Sequence, residues 1–130
     1  MHIIVADDDP ITRQVLSKML ARYGSVDEVT NGIEALAALE TALSWGAPPD
    51  LICLDAKIPG LPGLAPLDGI RSLEESLSLR GAKRAKVLVI ASSRDGADAT
   101  HAFGEQADGC LNRPILASQL NEQLQKLGLV

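Results

Sequence analysis

Apolar residues fall along this chain in two rhythms. Continuous runs, Ile3-Ile4-Val5-Ala6, Leu51-Ile52-Cys53-Leu54 and Val87 to Ala91, alternate with stretches where apolar residues recur every three or four positions. The runs predict strands and the spaced stretches predict helices. Asp9-Pro10 gives an N-cap followed by proline at the first helical position, and Ile11, Val15, Leu16, Met19 and Leu20 form the first helical stripe. Gly24 ends that helix, and Val26 to Thr30 predicts a second strand. Asn31-Gly32 turns the chain into a helix with Ile33, Leu36, Ala37, Leu39 and Leu43 on its apolar face, which Gly46-Ala47-Pro48-Pro49 breaks. A proline- and glycine-rich loop from Ile58 to Gly63 follows the third strand. Leu67, Ile70, Leu73 and Leu77 mark the next helix, and a shorter one is predicted over Ala97 to Phe103. Cys110-Leu111 marks a brief fifth strand, and Pro114 precedes a last helix bearing Ile115, Leu116, Leu120, Leu124 and Leu127.

Five strands thus alternate with five helices. Strands apolar on both faces are expected where helices cover both sides of a parallel sheet, so the fold class is α/β, a doubly wound five-stranded parallel sheet. With 130 residues and no linker, repeat or low-complexity tract, residues 1–130 are expected to form one domain, the last helix leaving no room for another.

Composition changes this picture little. Hydrophobic residues make up 46% and aromatic residues 2%, so the core must be built from Val, Ile, Leu and Ala. Trp45, just before a turn, is expected to be partly buried at a helix end. The net charge of −5 disfavours binding to phosphate backbones, so no direct nucleic-acid contact is expected. No apolar run is long enough to cross a bilayer, and the first residues lack the pattern of a signal peptide. A cytoplasmic protein without membrane contact is expected. Cys53 and Cys110, each in an apolar run, read as free, buried, reduced thiols. His2 and His101 read as lone histidines without matching partners for a metal or catalytic role, and Lys83, Arg84 and Lys86 read as a solvated basic cluster.

The unusual polar residues gather at one place. In a doubly wound sheet, ligands bind outside the carboxyl ends of the strands. Asp7, Asp8 and Asp9 follow strand one, Asp55 ends strand three, Ser92 and Ser93 end strand four, and Arg113 follows strand five. Two like charges about 4 Å apart repel by roughly 4 kcal/mol at an effective dielectric near 20, so Asp7, Asp8 and Asp55 need a cation or a proton. Oxygen-only ligands suit a hard cation, and Mg²⁺ fits best because it keeps several waters and takes one or two carboxylates plus phosphate. Asp9 reads as a helix cap. Asp55 does not, since Ala56-Lys57-Ile58-Pro59 follows it without a helical pattern.

At these residues the chain resembles the receiver domain of two-component response regulators. Ile3-Ile4-Val5-Ala6-Asp7-Asp8-Asp9-Pro10 resembles the acidic opening motif, and Pro49-Asp50-Leu51-Ile52-Cys53-Leu54-Asp55 resembles the strand ending in the phosphoacceptor. Ile58-Pro59 and Gly63 fit the following loop, Ile70-Arg71 falls in register on the next helix, and Ala107-Asp108-Gly109 with Arg113-Pro114 resembles the closing motif. The resemblance implies a flavodoxin-like sheet of strand order 2-1-3-4-5. It implies that Asp55 accepts a phosphoryl group from a histidine kinase or histidine phosphotransfer protein, through an aspartyl phosphate. Asp8 and Asp55 would bind Mg²⁺ directly, Asp7 largely through water, and the backbone carbonyl of Lys57 would supply a further ligand. Ser92 would hydrogen-bond a phosphoryl oxygen, with Ser93 facing elsewhere. The product is a signalling switch acting on a downstream target protein, an enzyme only toward its own phosphorylation and dephosphorylation. The implied topology also separates Cys53 from Cys110 by two strand spacings, near 10 Å, beyond the reach of a disulfide.

Three positions depart from the family pattern. Arg113 stands where lysine is usual, which leaves open whether its broader fork meets the phosphoryl group, crowds the site or points to solvent. Cys110 takes the place of the usual aromatic switch, so signalling through strands four and five is expected to weaken or take another route. Pro62 replaces a common aspartate and, with Pro59, Gly60, Gly63 and Pro66, stiffens the loop after Asp55. Two other readings compete. One is a receiver-like interaction module working without phosphorylation, favoured by Arg113 and Cys110. The other is a Mg²⁺-dependent phosphohydrolase, which would want an acid where Lys57 stands.

Overall fold

The computed structural model describes residues 1–58, 66–77, 84–91 and 107–130. Ser92, Ser93, His101, Phe103, Lys83, the stretch from Pro59 to Gly63 and the helix expected over Ala97 to Phe103 lie outside the described residues.

The predicted strands form as β1 (His2–Ala6), β2 (Ser25–Val29), β3 (Leu51–Asp55), β4 (Lys86–Ala91) and β5 (Gly109–Asn112). The described helices are α1 (Pro10–Leu20), α2 (Gly32–Ser44), α3 (Pro66–Ser76) and α4 (Ala117–Lys126). All neighbouring strands pair in parallel, in the order β2-β1-β3-β4-β5. This is the order that the family resemblance implies.

Strands β1, β3 and β4 are buried on both faces, as their continuous apolar runs require, while the edge strand β2 is largely exposed. Alternate side chains of each strand enter separate cores. Ile3, Val5, Leu51 and Cys53 pack with Leu16 of α1 and Leu120 of α4. Ile4, Ile52 and Leu54 pack on the other face with Leu39 of α2 and with Leu67 and Ile70 of α3. Cys53 and Cys110 are both free thiols, the first buried and the second half-buried, and β4 lies between their strands.

Local chemistry fixes the helix starts. Asp9 caps α1, its carboxylate accepting from Ile11 N at 3.1 Å and from the Thr12 hydroxyl at 2.7 Å. The Thr12 hydroxyl first, then the Ile11 N–H, hold the Asp9 carboxyl below its ordinary value. Asn31 caps α2 by accepting from Glu34 N at 2.8 Å, while Glu34 reaches back to the N–H and hydroxyl of Thr30. Gly24 lies beyond α1 and has a different task from stopping it. A Cβ there would stand 1.9 Å from the Met1 carbonyl oxygen, so the chain passes β1 only as glycine.

Several burial expectations are corrected. Ile11, Val15 and Ile33 are exposed. The buried stripe of α1 runs through Leu16 and Leu20, so one turn earlier it reaches Thr12, which is spent on the cap. On α2 the buried positions are Gly32, Ala35, Leu39 and Ala42, so small residues face the sheet and Ile33 turns outward. Leu77 is exposed just past the end of α3. The last helix starts at Ala117, leaving Ile115 buried before it and Leu116 half-exposed at its N-cap. Trp45 is 82% exposed, one residue past the end of α2.

Arg84 is likewise no solvated bystander. The carboxylate of Glu74, 2% exposed, accepts from Arg71 Nη1 and from Ala85 N, both at 2.7 Å, and Arg84 Nε lies 3.9 Å away. Arg71 also donates to Ala85 O at 2.9 Å and to Asp108 Oδ2 at 2.9 Å, and Asp108 accepts from Val87 N at 2.8 Å. This clamp ties α3 and the approach to β5 onto the start of β4. The opposite, carboxyl-terminal edge of the sheet remains for chemistry.

Candidate functional site

The register of the central strands brings the acidic residues together. Val5 pairs with Cys53 and Ala6 with Leu54, so the next step places Asp7 beside Asp55. Asp7 stays on the ladder, its N–H donated to Val29 O at 3.1 Å. Asp55 closes β3, and Ala56 N continues the pairing to Ile90 O at 2.8 Å. One carboxylate oxygen from each of Asp7, Asp8 and Asp55 can be chosen so that all lie within 4.8 Å of one another. Asp7 is 0% and Asp55 5% exposed, whereas Asp8 faces solvent.

Arg113 enters the same cluster. Its N–H bonds to Ala91 O at 2.8 Å, which holds it at the end of β5. Its Nη2 lies 2.9 Å from Asp7 Oδ2 and 3.4 Å from Asp55 Oδ1. The side chain therefore turns into the site while staying partly exposed. Burial pulls the guanidinium down, and Asp55 and Asp7 more than offset that, so it stays above its ordinary value.

The remaining hydrogen bonds fix the two buried acids. Asp7 Oδ1 accepts from Asp9 N at 2.9 Å, and Asp7 O accepts from Arg13 Nη1 at 2.8 Å. Asp55 Oδ1 accepts from Lys57 N at 3.2 Å, and the turn closes with Ile58 N donating to Asp55 O at 3.1 Å. Burial is the chief reason the Asp55 carboxyl stands above its ordinary value. The Lys57 N–H opposes that rise, the Asp7 charge adds to it, and the Arg113 charge opposes it.

The donor set suits a hard divalent cation. Every candidate ligand is a carboxylate oxygen, and three carboxylates against one guanidinium leave two negative charges to balance. Asp7, Asp8, Asp55 and the Lys57 turn thus lie together, and Arg113, whose direction the sequence left open, points among them. Ser92 lies outside the described residues.

Arg13 is a site residue that the apolar pattern does not mark. An arginine on a helix surface ordinarily reads as solvated. The β1–β2 register, which sets Val5 against Glu28, turns it into a brace: Arg13 Nε donates to Glu28 Oε1 at 3.2 Å while Nη1 holds the Asp7 carbonyl.

Known proteins define the class of this fold and site. The sequence model of the response regulator receiver domain matches residues 3–125, and the chain belongs to that family. It is similar to the hybrid signal transduction histidine kinase L of Dictyostelium discoideum, 32% identical over 97% of this chain and 7% of that protein. It is also similar to the nitrate/nitrite response regulator protein NarL of Escherichia coli K12, 30% identical over 94% of this chain and 52% of that one. The chain thus spans about half, or much less, of the length of these curated relatives. Among solved structures, a two-component response regulator from Cytophaga hutchinsonii superposes with a TM-score of 0.78 at 23% identity, covering 97% of this chain and 95% of that one. The receiver domain of Saccharomyces cerevisiae Ssk1, crystallised with the histidine phosphotransfer protein Ypd1, superposes with a TM-score of 0.76 at 19% identity, covering 98% and 88%. The chain is a receiver domain homologous to those of response regulators and hybrid kinases, and such domains are signalling switches. No described helix is long and apolar enough to cross a membrane.

Proposed function

We propose that this chain accepts a phosphoryl group on Asp55 from a phosphohistidine and signals by a phosphorylation-dependent protein contact. The observation that carries this reading is the convergence of Asp7, Asp8 and Asp55 with Arg113 at the carboxyl ends of adjoining strands. In the reaction, a carboxylate oxygen of Asp55 attacks phosphorus. The phosphorus–nitrogen bond to the donor imidazole breaks, its electron pair stays on the ring nitrogen, and that nitrogen takes a proton from solvent.

Asp8, Asp55 and the Lys57 carbonyl would hold Mg²⁺, with Asp7 acting through water. A bound Mg²⁺ offsets charge on the transferring group, in a step dominated by positioning and electrostatics. Arg113 supplies the fixed positive charge of the protein, and Lys57 N orients Asp55 Oδ1. Ser92 is proposed to take a phosphoryl oxygen.

The donor is a histidine kinase or phosphotransfer protein, as in the yeast receiver crystallised with one. Ile11 at the start of α1 and Leu116 at the N-cap of α4, both exposed, give such a partner an apolar surface at the edge that carries the acids. Residues 1–130 act as a cytoplasmic receiver that contacts a downstream target protein, neither nucleic acid nor membrane. No turnover of an external substrate is part of this reading, and Lys57 stands where a phosphohydrolase would place its second acid.

Incubation with Mg²⁺ and acetyl phosphate followed by intact mass measurement tests the proposal. One phosphate adduct is expected on the native chain and none on Asp55→Asn. An unmodified native chain that nonetheless captures a partner would favour the phosphate-independent module, which the direct pairing of Arg113 with Asp55 makes the second reading.

A further inference from the structure

We infer that the groove beside Trp45, away from the acidic cluster, docks an arginine-bearing segment of a partner protein. The site does not rest on the phosphoacceptor reading.

The groove has a volume of about 490 Å³ and is lined by residues of α2, the turn after it, β1 and the edge strand β2. Ala37, Ala38 and Ala42 of α2 and Ala47 of the turn carry only methyl groups, which leaves room for an aliphatic stem. Trp45 lines the same groove at 82% exposure and is the one tryptophan of the chain. An indole open to water offers its electron-rich face to a cation. No lysine or arginine lines the groove to occupy that face.

Asp27 supplies the charge. Its Oδ2 lies 2.9 Å from His2 Nε2, and its Oδ1 has no hydrogen-bond partner among the described residues. His2 is held in turn, its N–H donated to Asp50 Oδ2 at 2.8 Å and its Nδ1 3.3 Å from Ala47 O. One imidazole thus joins the Asp27 carboxylate to the turn past α2, so the wall of the groove is set before a ligand arrives. A carboxylate whose side chain is 65% exposed holds a cation only weakly by itself. The indole face and the apolar floor add what it lacks. Arginine matches all three, with an aliphatic stem, a planar head that stacks on an aromatic ring and N–H groups left over for the carboxylate.

A second copy of the chain fits less well. A two-fold contact would bring like, carboxylate-bearing patches together in a chain of net charge −5. The same charge draws a basic segment in.

The groove is also remote from the phosphoacceptor. His2 opens β1 and Trp45 follows α2, whereas Asp7 stands past the other end of β1 and Asp55 closes β3. Docking here leaves the acidic edge free, so the chain can hold a basic partner in either phosphorylation state.

The test titrates a terminally blocked peptide of alternating glycine and arginine into the full chain at about 0.15 M salt, where long-range attraction is screened. Calorimetry reads affinity, Trp45 fluorescence reports on the groove and circular dichroism checks folding. Saturable binding with a change in Trp45 emission is expected. Trp45→Ala is expected to weaken binding about tenfold and Asp27→Asn about threefold. Glu122→Gln, which removes one exposed charge from α4, and Asp55→Asn are expected to bind as the native chain does. Should Asp27→Asn fail to fold, Trp45→Ala, at an exposed position, carries the test. Equal affinity in the native chain and Trp45→Ala would mean diffuse attraction to an acidic surface and overturn the inference. Absence of binding would overturn it too, as would binding lost in Asp55→Asn alone, which would seat the peptide on the acidic cluster. A dimer in sedimentation that Trp45→Ala dissolves would give the groove to a second copy and likewise overturn it. Phosphorylation of Asp55 is read separately by mass and stands or falls independently of these results.

Discussion

Asp55 and Arg113 hold most of the account, and they differ in how far the sequence reveals them. Asp55 is marked by its place at the end of a continuous apolar run with no helix behind it. The contact that Arg113 makes depends on side-chain direction, which one letter after β5 does not fix. Its seat on Asp7 Oδ2 and near Asp55 Oδ1 follows from the sheet register. Arg13 is similarly hidden, since only the pairing of β1 with β2 shows what it braces.

Cys53 gives a prediction at this scale. Burial pushes its thiol up to about 12 from an ordinary value of 9.0. A folded value above the unfolded one means the folded chain holds this proton more tightly. The stability this contributes is fully present below pH 9.0 and is lost as pH rises toward about 12. Urea midpoints measured across that window should fall in the native chain and fall less steeply in Cys53→Ala. Equal slopes would show that other groups set the alkaline limit.

At the scale of elements, strand positions were plain in the sequence and helix phase was not. A strand buried on both faces is apolar at every residue, so β3 cannot be misplaced by much. The helix α2 carries apolar residues nearly all round, and Ile33 and Ala35 compete for the inner face. Packing chooses Ala35, because small residues let the helix approach the sheet, and Ile33 is left outside. The clamp on Glu74 was also invisible, since a glutamate in a helix ordinarily faces water. Its carboxylate satisfies Ala85 N and Arg71 at once. Glu74→Ala removes the acceptor of Ala85 N and one of the acceptors of Arg71, and is expected to lower unfolding free energy by about 3 kcal/mol in urea titration. A loss below about 1 kcal/mol would mean the neighbouring Asp108 carries the clamp alone.

At the scale of the molecule, alternation of strand and helix signals was enough to fix a parallel doubly wound sheet. Strand order came only with the family resemblance, because periodicity does not say which strands touch. The observed order β2-β1-β3-β4-β5 puts β1 and β3 side by side, and that adjacency creates the acidic cluster. The same edge carries exposed Ile11 at the start of α1 and Leu116 before α4. If a phosphotransfer protein docks there, Ile11→Glu should slow transfer from it about tenfold in rapid-quench assays, the size of effect a central apolar contact gives. Equal transfer rates would mean that the partner approaches from another face.

The central claim concerns one carboxylate, and it can be located chemically. After incubation with Mg²⁺ and acetyl phosphate, borohydride reduces an acyl phosphate and converts its aspartate to homoserine. Peptide sequencing by mass spectrometry then reads the position. The account predicts homoserine at residue 55 and at no other aspartate. Homoserine at Asp7 or Asp8, or no conversion in a chain that stays folded and binds Mn²⁺, would contradict it.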